Sequence, residues 1–264
     1  MKDRVSLILL PGLDGTRILL EPLLAVLPDW VRPVVVPYPN DGPTGYGDLL
    51  PEVERVLRAE GASFVLGWSF GGPLATQLAA RRPELVLGLI LCSSFVHAPR
   101  RELVRWRAFV SPPVVGTLRA VRRIRYLIPG FAEPALRLAK RRTWRAVGAR
   151  ALASRSREVL VVDVRHELAA YRGPVLCLAA ENDSVISSAH AREILALAPA
   201  ATAASIPGGH MALFTAASAG ATQIAAFLAS HVRPEELPAY ASAQLASTKV
   251  AATAGRMISR LPAN

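Results

Sequence analysis

The sequence predicts an α/β fold: a mostly parallel sheet of about six strands with helices on both faces and a helical insertion. Short apolar runs bounded by Gly or Pro alternate with segments of helical spacing, as in parallel sheets buried on both faces. Helical, arginine-rich sequence interrupts this alternation between residues 98 and 157. The 264 residues, 52% of them hydrophobic, suffice for one large domain that carries an insertion.

Six segments are predicted as strands because each is a short apolar run that ends near a turn residue. They are Val5–Leu10, Pro33–Pro37, Phe64–Gly67, Leu87–Cys92, Val175–Ala179 and Ala203–Ile206. Five further segments have the apolar spacing of helices. They are Ile18–Leu27, Tyr46–Glu60, Gly72–Arg82, Ala189–Leu197 and Ala216–His231.

The same patterns divide the chain into four parts. Residues 1–97 and 158–232 are predicted to form the α/β core, in two pieces. Residues 98–157, which we call the basic segment, are predicted to form two or three short amphipathic helices. Residues 233–264 are rich in Ala, Ser and Thr, and this tail is expected to be either one weak helix or disordered.

The basic segment carries all of the chain's excess positive charge. It has fifteen Arg and one Lys against Glu102 and Glu133, a net +14, whereas the whole chain is +11. Three interpretations remain open: docking of an acidic carrier protein, contact with anionic lipids, or a solvated arginine-rich face. Nucleic acid binding is not expected, because the segment interrupts a core instead of forming a separate basic domain.

Composition also limits the location and chemistry of the protein. The sequence has no run of eighteen apolar residues, and Val5–Leu10 is too short for a signal peptide, so a cytoplasmic protein is predicted. Cys92 and Cys177 both lie in strand-like apolar runs and are interpreted as buried, reduced thiols. No cluster of ligand-type residues has the spacing of a metal site, and no phosphate-binding loop is present, so neither metal nor cofactor is predicted.

The strongest local motif is Gly67-Trp68-Ser69-Phe70-Gly71, a G-x-S-x-G sequence between a predicted strand and a predicted helix. A sharp strand-to-helix turn of this kind raises the serine hydroxyl above the sheet edge, at the helix N-terminus. There, free backbone N–H groups and the helix dipole favour developing negative charge. Ser69 is therefore predicted to be a nucleophile, with the Phe70 N–H as one donor to an oxyanion.

A glycine-rich loop, Leu10-Pro11-Gly12-Leu13-Asp14-Gly15, follows the first strand. Such a loop can supply a second N–H to the oxyanion, although it is equally compatible with an ordinary strand-to-helix connection.

Two later loops supply the remaining groups. Asp183 follows the strand Val175–Ala179, and His210 follows the last short strand, so both are expected at the same edge of the sheet as Ser69. The chain order Ser, Asp, His is one of the orders in which triads occur. Asp163 is the alternative acid, but it precedes the strand instead of following it.

The other histidines have weaker claims to a function. His97 directly follows a strand and is expected near the mouth of a pocket. His166 and His190 are expected on helical or loop surfaces, and His231 ends a helix.

With these motifs, the sequence resembles the α/β-hydrolase superfamily over residues 5–97 and 158–232. The resemblance rests on three short stretches and extends to small esterases and thioesterases, including pimeloyl-acyl-carrier-protein methyl ester esterases. The stretches are Leu66 to Gly72, Asp183 with Val185 two residues later, and Gly209-His210.

Where many relatives have His-Gly in the oxyanion loop, this chain has Pro11-Gly12, which resembles a subgroup with L-P-G-L-D-G-T at Leu10 to Thr16. This difference leaves Leu13 or Asp14 as the second donor, and Leu13 is preferred. The two leading antiparallel strands of larger members are not expected.

The resemblance implies a serine hydrolase (EC 3.1-type) that cleaves an ester or thioester through an acyl-enzyme, with a carrier-linked acyl chain as one of the substrates to be considered. It implies Ser69 as nucleophile, His210 as general base and Asp183 as the orienting acid, without a cofactor. The basic segment would be a lid over the site, facing an acyl carrier protein or a membrane. The alternatives are a lysophospholipase- or lipase-like enzyme at a membrane surface, and a non-hydrolytic or binding member of the same fold.

Three residues near the predicted site are assigned to substrate binding. They are Trp68, Asp14 and His97.

Overall fold

The computed structural model describes residues 4–125 and 132–232 of the chain. Its centre is a six-stranded sheet, which confirms the predicted fold class. All strand pairs are parallel, and the strand order is β2-β1-β3-β4-β5-β6. The strands are β1 Val5–Leu10, β2 Val31–Val35, β3 Ser63–Trp68, β4 Val86–Cys92, β5 Val175–Ala180 and β6 Thr202–Ile206.

Strand β2 lies two residues earlier than predicted, because Val31 to Val35 pair with β1 in place of Pro33 to Pro37. The apolar pattern misplaced it by giving too much weight to the prolines as boundaries. Pro33 is tolerated inside this strand because β2 is at the edge of the sheet, where a missing N–H donor disrupts the ladder least.

The core helices largely follow the predicted segments. The first of these is split, because Ile18–Leu20 forms a 3₁₀ turn and the α-helix begins only at Glu21, with Pro22 in its first turn. The last is preceded by a separate short helix. The helices outside the basic segment are α1 Glu21–Val26, α2 Tyr46–Glu60, α3 Gly71–Arg81, α7 Arg165–Ala170, α8 Ser188–Leu197, α9 Ala212–Thr215 and α10 Ala217–His231.

In its described part, the basic segment is helical, as predicted. A 3₁₀ segment covers Arg101–Phe109, followed by α4 Pro112–Arg125, α5 Pro134–Ala146 and α6 Ala149–Val159. Prolines stand at the start of α4 and α5, where an N–H would have no helical partner, so they begin helices here. Helix α6 runs two residues beyond the predicted end of the segment at residue 157.

Two apolar layers, one on each face of the sheet, form the core. Alternate residues of a strand point to opposite faces, so Ile8 and Leu10 join one layer while Leu7 and Leu9 join the other. All four side chains are fully buried. The continuous apolar runs of the sequence are thus explained by helices packed on both faces.

Both cysteines are buried and unpaired. Burial raises the pKa of the Cys92 thiol well above its ordinary range and that of Cys177 to about 12. The thiolate forms are therefore suppressed at neutral pH.

Among the described residues, no helix combines the length and apolar character that a bilayer crossing requires. The cytoplasmic location stays a prediction. The predicted tail at 233–264 lies outside the described residues.

Gly88 in β4 allows two aromatic rings to approach the sheet closely. A Cβ atom at this position would lie 2.8 Å from the buried Phe64 ring and 3.1 Å from the Phe227 ring. We therefore expect Gly88→Ala to lower the free energy of unfolding by about 1–3 kcal/mol through overpacking. Chemical denaturation measures the change. Gly47→Ala in α2 is the matched control, because a Cβ there meets nothing within 4 Å and helix propensity predicts no loss. Equal stability of wild type and Gly88→Ala would contradict the prediction.

Candidate active site

Ser69 occupies a strained turn between β3 and α3. Its φ is 52°, in the left-handed region that non-glycine residues rarely adopt and that costs on the order of 1–3 kcal/mol. Both of its backbone groups are held. Its N–H donates to the Cys92 carbonyl (2.9 Å), and its carbonyl accepts from the Ser94 hydroxyl (2.8 Å) and the Gly72 N–H (3.0 Å).

The glycines around Ser69 are required by close backbone contacts. A Cβ on Gly71 would collide with the carbonyl oxygens of Leu10 and Pro11, the latter at 2.7 Å. A Cβ on Gly72 would overlap the Ser94 hydroxyl. The first turn of α3 therefore sits directly against the end of β1, and the G-x-S-x-G spacing has a steric cause.

The structure brings the Ser69, His210 and Asp183 side chains together in one hydrogen-bonded chain. His210 Nε2 lies 3.0 Å from Ser69 Oγ, and His210 Nδ1 lies 2.9 Å from Asp183 Oδ2. A carboxylate only accepts, so Nδ1 carries the proton and Nε2 is free to accept the serine proton. The loops after β3, β5 and β6 supply these groups at the carboxyl edge of the sheet, where α/β folds bind ligands.

The Asp183 carboxylate is buried and fully engaged, with 5% of its side chain exposed. Its Oδ1 accepts the N–H groups of Val185 (2.8 Å) and Ile186 (2.9 Å), while Oδ2 faces His210. Burial raises the pKa of this carboxyl, but the His210 contact and the two backbone donors outweigh burial and lower its pKa below the ordinary value. Asp183 therefore remains anionic beside the imidazole.

Asp163, the alternative acid, pairs with Arg165 and not with His210. Both of its carboxylate oxygens accept from the Arg165 guanidinium, at 2.8 and 2.5 Å.

The loop after β1 lies over the Ser69 turn. A Cβ on Gly12 would be 3.8 Å from Ser69 Cβ. The Gly15 N–H donates to the Gly12 carbonyl (2.9 Å), closing a tight turn. Because a trans peptide holds C=O and N–H on opposite sides, the N–H of Leu13 points out of this turn. Within the described chain, the N–H groups of Leu13 and Phe70 donate to no other protein group.

Phe70 is fixed by its ring. The side chain is 1% exposed and stacks on Tyr46 at 4.5 Å between centroids, with Tyr38 edge-on at 5.8 Å. The Tyr38 hydroxyl donates to the Pro11 carbonyl (2.9 Å), so one aromatic cluster contacts both the Ser69 turn and the loop after β1.

Arg155, in helix α6 of the basic segment, is buried with no exposed surface. Its guanidinium donates to three carbonyls, those of Leu13 (3.0 Å), Asp14 (2.9 Å) and Pro39 (2.5 Å). It also lies over the Tyr38 ring, 5.3 Å from the centroid. A guanidinium presents several donors in a rigid fork, so Arg155 of α6 holds the loop after β1 in place through its carbonyls.

Ser94 and Arg155 were not predicted from the sequence as part of the site. The signal for Ser94 was its place just after β4, at the same sheet edge as Ser69. Arg155 had no distinguishing signal, because it was one of fifteen arginines in the basic segment.

Each of the three residues predicted to bind substrate is engaged by other residues of the chain. Trp68 is 2% exposed and belongs to the core, and the Asp14 carboxylate accepts from Thr16 N–H (3.0 Å) and the Thr16 hydroxyl. His97 Nδ1 lies 2.5 Å from Glu193 Oε2. These contacts are structural, and a role in substrate binding stays a prediction for each residue.

His190 was expected on a surface, but it is buried, with 6% of its surface exposed. Its ring faces those of Phe95 and His97, at 6.5 and 5.1 Å between centroids, and the helix pattern alone did not indicate these contacts. His190, His97 and Glu193 bring ligand-type atoms within 4.8 Å of one another. The group was not predicted as a metal site, because His97 is 96 residues away from Glu193 in the sequence.

A cavity of about 710 Å³ lies beside the loop after β1. Its volume is in the range of small-molecule sites. Its lining includes Thr16, Ile18, Tyr38, Asn40, Glu52 and Ala146.

Comparison with known proteins identifies the family. Residues 7–226 match the Alpha/beta hydrolase family. A thermophilic esterase from Thermogutta terrifontis has a similar structure, with a TM-score of 0.74 and 18% identity over 86% of this chain and 91% of that one.

Two curated relatives are much longer than this chain. Phytyl ester synthase 1, chloroplastic, from Arabidopsis thaliana is 36% identical over 113 residues, which are 39% of this chain and 16% of that protein. Polyketide synthase ThaQ from Burkholderia thailandensis is 27% identical over 250 residues, which are 87% of this chain and 12% of that protein. The chain thus spans less than a fifth of either relative.

The lowered pKa of Asp183 predicts a pH-dependent contribution to stability. A carboxyl whose folded pKa is depressed stabilises the fold above its unfolded pKa, about 3.9, and loses that contribution as pH falls through the folded value. We expect Asp183→Asn to be less stable than wild type at pH 7, with the difference shrinking as the pH falls below about 4. Denaturant unfolding from pH 7 to pH 3 measures this difference. A difference that does not change with pH would contradict the prediction.

Proposed function

The chain belongs to the α/β-hydrolase family, and we propose that it is a serine hydrolase that cleaves carboxylic esters or thioesters through an acyl-enzyme. One observation carries the proposal: the unbroken hydrogen-bonded chain from Ser69 Oγ through His210 to Asp183. Each side chain comes from a different loop at the same sheet edge, and the site requires no cofactor for this reaction.

In the acylation step, His210 Nε2 accepts the Ser69 proton while Oγ attacks the substrate carbonyl carbon. The C–O bond to Ser69 forms as the carbonyl π electrons move to oxygen. Asp183 stabilises the imidazolium and holds the Nδ1–H tautomer. His210 then donates its proton to the leaving oxygen or sulfur, and the bond to the leaving group breaks.

The N–H groups of Phe70 and Leu13 would receive the negative oxygen of the tetrahedral intermediate. Both N–H groups are free of protein acceptors in the described chain, and Phe70 adds the favourable dipole of the α3 N-terminus. Water then attacks the acyl-enzyme by the same proton path, releasing the acid and restoring Ser69.

The basic segment is inferred to be a lid, because Arg155 connects its helix α6 to the loop that carries Leu13. Trp68, Asp14 and His97 remain the residues proposed to contact substrate.

A membrane-surface lipid ester is the second candidate substrate, and the exposed side chains of the basic segment favour it. Trp106 and Phe109 are 49% and 64% exposed, and their rings lie 5.5 Å apart. Exposed aromatic residues among arginines are typical of helices that lie on anionic membranes. A carrier-linked acyl chain is the competing substrate, for which the arginines alone provide the support. Further apolar side chains exposed in this segment are Leu103, Val104, Val114, Leu118, Val121 and Leu138.

The proposed function is tested with a substrate panel and an active-site label. We expect wild-type protein to react with a fluorophosphonate at Ser69 and to hydrolyse at least one class among p-nitrophenyl esters, acyl-CoA, acyl carrier protein thioesters and lysophospholipid in anionic vesicles. Ser69→Ala is expected to lower kcat by about 10⁴-fold or more and to abolish labelling.

Ser218→Ala, on the exposed surface of α10, is the matched control and should keep wild-type rates. Wild-type protein that is neither labelled nor active on any substrate would leave a binding protein as the function. Turnover of the vesicle substrate above the others supports the membrane candidate, and preference for the carrier thioester overturns it.

Arg155 provides a separate prediction about the oxyanion loop. Lysine keeps the charge at this position but replaces the guanidinium fork with one ammonium, so the three carbonyl contacts cannot all be made. We expect Arg155→Lys to lower kcat by about 10–100-fold with a smaller change in KM, because the Leu13 N–H acts in the transition state. A boronic acid that mimics the tetrahedral intermediate should bind more weakly by a similar factor.

Arg157→Lys in the same helix is the matched control, since Arg157 donates to the Val110 carbonyl (3.0 Å), within the basic segment. It should retain the wild-type kcat. If Arg155→Lys only lowers thermal stability and leaves kcat and boronate affinity unchanged, Arg155 is not a positioning residue for the oxyanion.

A further inference from the structure

A second group of polar side chains, outside the Ser69 chain, consists of His97, His190 and Glu193. Their nitrogen and carboxylate atoms lie within 4.8 Å of one another, and the His97 and His190 rings are 5.1 Å apart between centroids. Two histidines and a glutamate form a ligand set that zinc uses in proteins.

The backbone that carries His97 is fixed. His97 forms an isolated antiparallel bridge with Asp163, and on either side of it the Ala98 N–H donates to the Val162 carbonyl (2.8 Å) and the Val164 N–H to the Val96 carbonyl (2.7 Å). One ligand is therefore held in place where the chain that enters the basic segment pairs with the chain that leaves it.

The other two residues belong to one helix. His190 and Glu193 are three residues apart in α8, so their side chains project from the same face, one turn apart. The geometry resembles the way helices present paired ligands to a metal, with His97 facing them from across the interface.

His190 gives an independent indication that a ligand is bound here. The residue is 6% exposed, and its Nδ1 is buried without a hydrogen-bond partner in the described chain. A buried polar atom without a partner costs about 1–3 kcal/mol. His190, His97 and Glu193 all line a cavity of about 480 Å³, which leaves room for a bound ion and its water ligands.

We propose that His97, His190 and Glu193 bind one divalent transition-metal ion, with Zn²⁺ the preferred ion and water completing a tetrahedron. Zinc–ligand bonds of about 2.0–2.2 Å separate tetrahedral ligand atoms by about 3.3 Å. His97 Nδ1 and Glu193 Oε2, now 2.5 Å apart, move outward by under 1 Å, and the atoms at the 4.8 Å limit move inward by about 1.5 Å. Side-chain rotation alone supplies such shifts.

Of the two Glu193 carboxylate oxygens, Oε2 is the one available to the ion. Glu193 Oε1 is 3.9 Å from Arg165 Nη1, whereas Oε2 faces His97. Asp163 accepts from Arg165, and Arg101 in the cavity wall lies 3.9 Å from the Asp163 carboxylate. This one carboxylate offsets part of the charge of the two guanidiniums and so lowers their repulsion of an ion at Oε2.

The bound ion would reinforce the connection that the His97–Glu193 contact makes between two parts of the chain. His97 directly precedes the basic segment, and α8 begins five residues after Asp183. The role is structural and goes beyond the proposed hydrolase function, since none of the three residues transfers a proton or receives the oxyanion in ester cleavage. His97 would then bind the ion in place of substrate.

The test uses the full-length chain without a polyhistidine tag, stripped with a chelator and then titrated with ZnCl₂ or CoCl₂. We expect one Zn²⁺ per chain by calorimetry, and visible absorption of tetrahedral character from bound Co²⁺. At Zn²⁺ about 100-fold above the dissociation constant, the melting temperature should rise by about 5–10 °C.

His190→Gln and Glu193→Gln should each weaken Zn²⁺ binding by about 100-fold or more and remove the rise in melting temperature. Glu193 is partly exposed, so this variant folds even if loss of the buried imidazole does not permit folding. His231→Gln and His210→Gln should bind Zn²⁺ like wild type. Absence of Zn²⁺ binding by wild type, or binding that survives in both cluster variants, would overturn the proposal. Loss of binding in His210→Gln alone would place the ion at the Ser69 chain.

Discussion

The left-handed backbone at Ser69 determines how far its hydroxyl stands above the sheet, and the 3.0 Å contact with His210 depends on that height. Such a conformation persists only where neighbours hold it, and here the Cys92 carbonyl and the Ser94 hydroxyl do so. Gly72 allows Ser94 to approach, and Gly71 allows the end of β1 to approach. A side chain at Gly72 would displace Ser94, and one at Gly71 would push α3 away from β1 and the loop that follows it.

Several arginines of the basic segment bind groups of this same chain. Arg155 binds three carbonyls beside the Ser69 turn, and Arg142 forms a bidentate pair with Glu21 in α1 (2.6 and 2.8 Å). Arg119 donates to carbonyls within the segment itself. A net charge of +14 therefore overstates the charge available to a partner. The exposed Trp106 and Phe109 therefore distinguish the candidate partners of this surface better than its net charge does.

Local patterns predicted the fold class and the Ser69 motif, because a buried parallel strand and a strand-to-helix turn each depend on a few consecutive residues. The bounds of β2 were misplaced, since its proline is allowed by an edge position that only the assembled sheet defines. His190 was expected on a surface, and Arg155 was only one of the arginines of the basic segment, because nothing near either residue in sequence marks its burial. His97 and Glu193 are 96 residues apart. Their meeting depends on how the basic segment leaves β4, which no spacing rule captures.

The outer strand β2 also affects how copies of this chain meet one another. An unpaired strand edge is a template on which another molecule can extend the ladder, and exposed edges of this kind promote aggregation. Pro33 removes one donor from β2, and Arg32 beside it adds a charge to the same strand. Together they make this edge, where the described sheet ends, a poor template for intermolecular β-pairing.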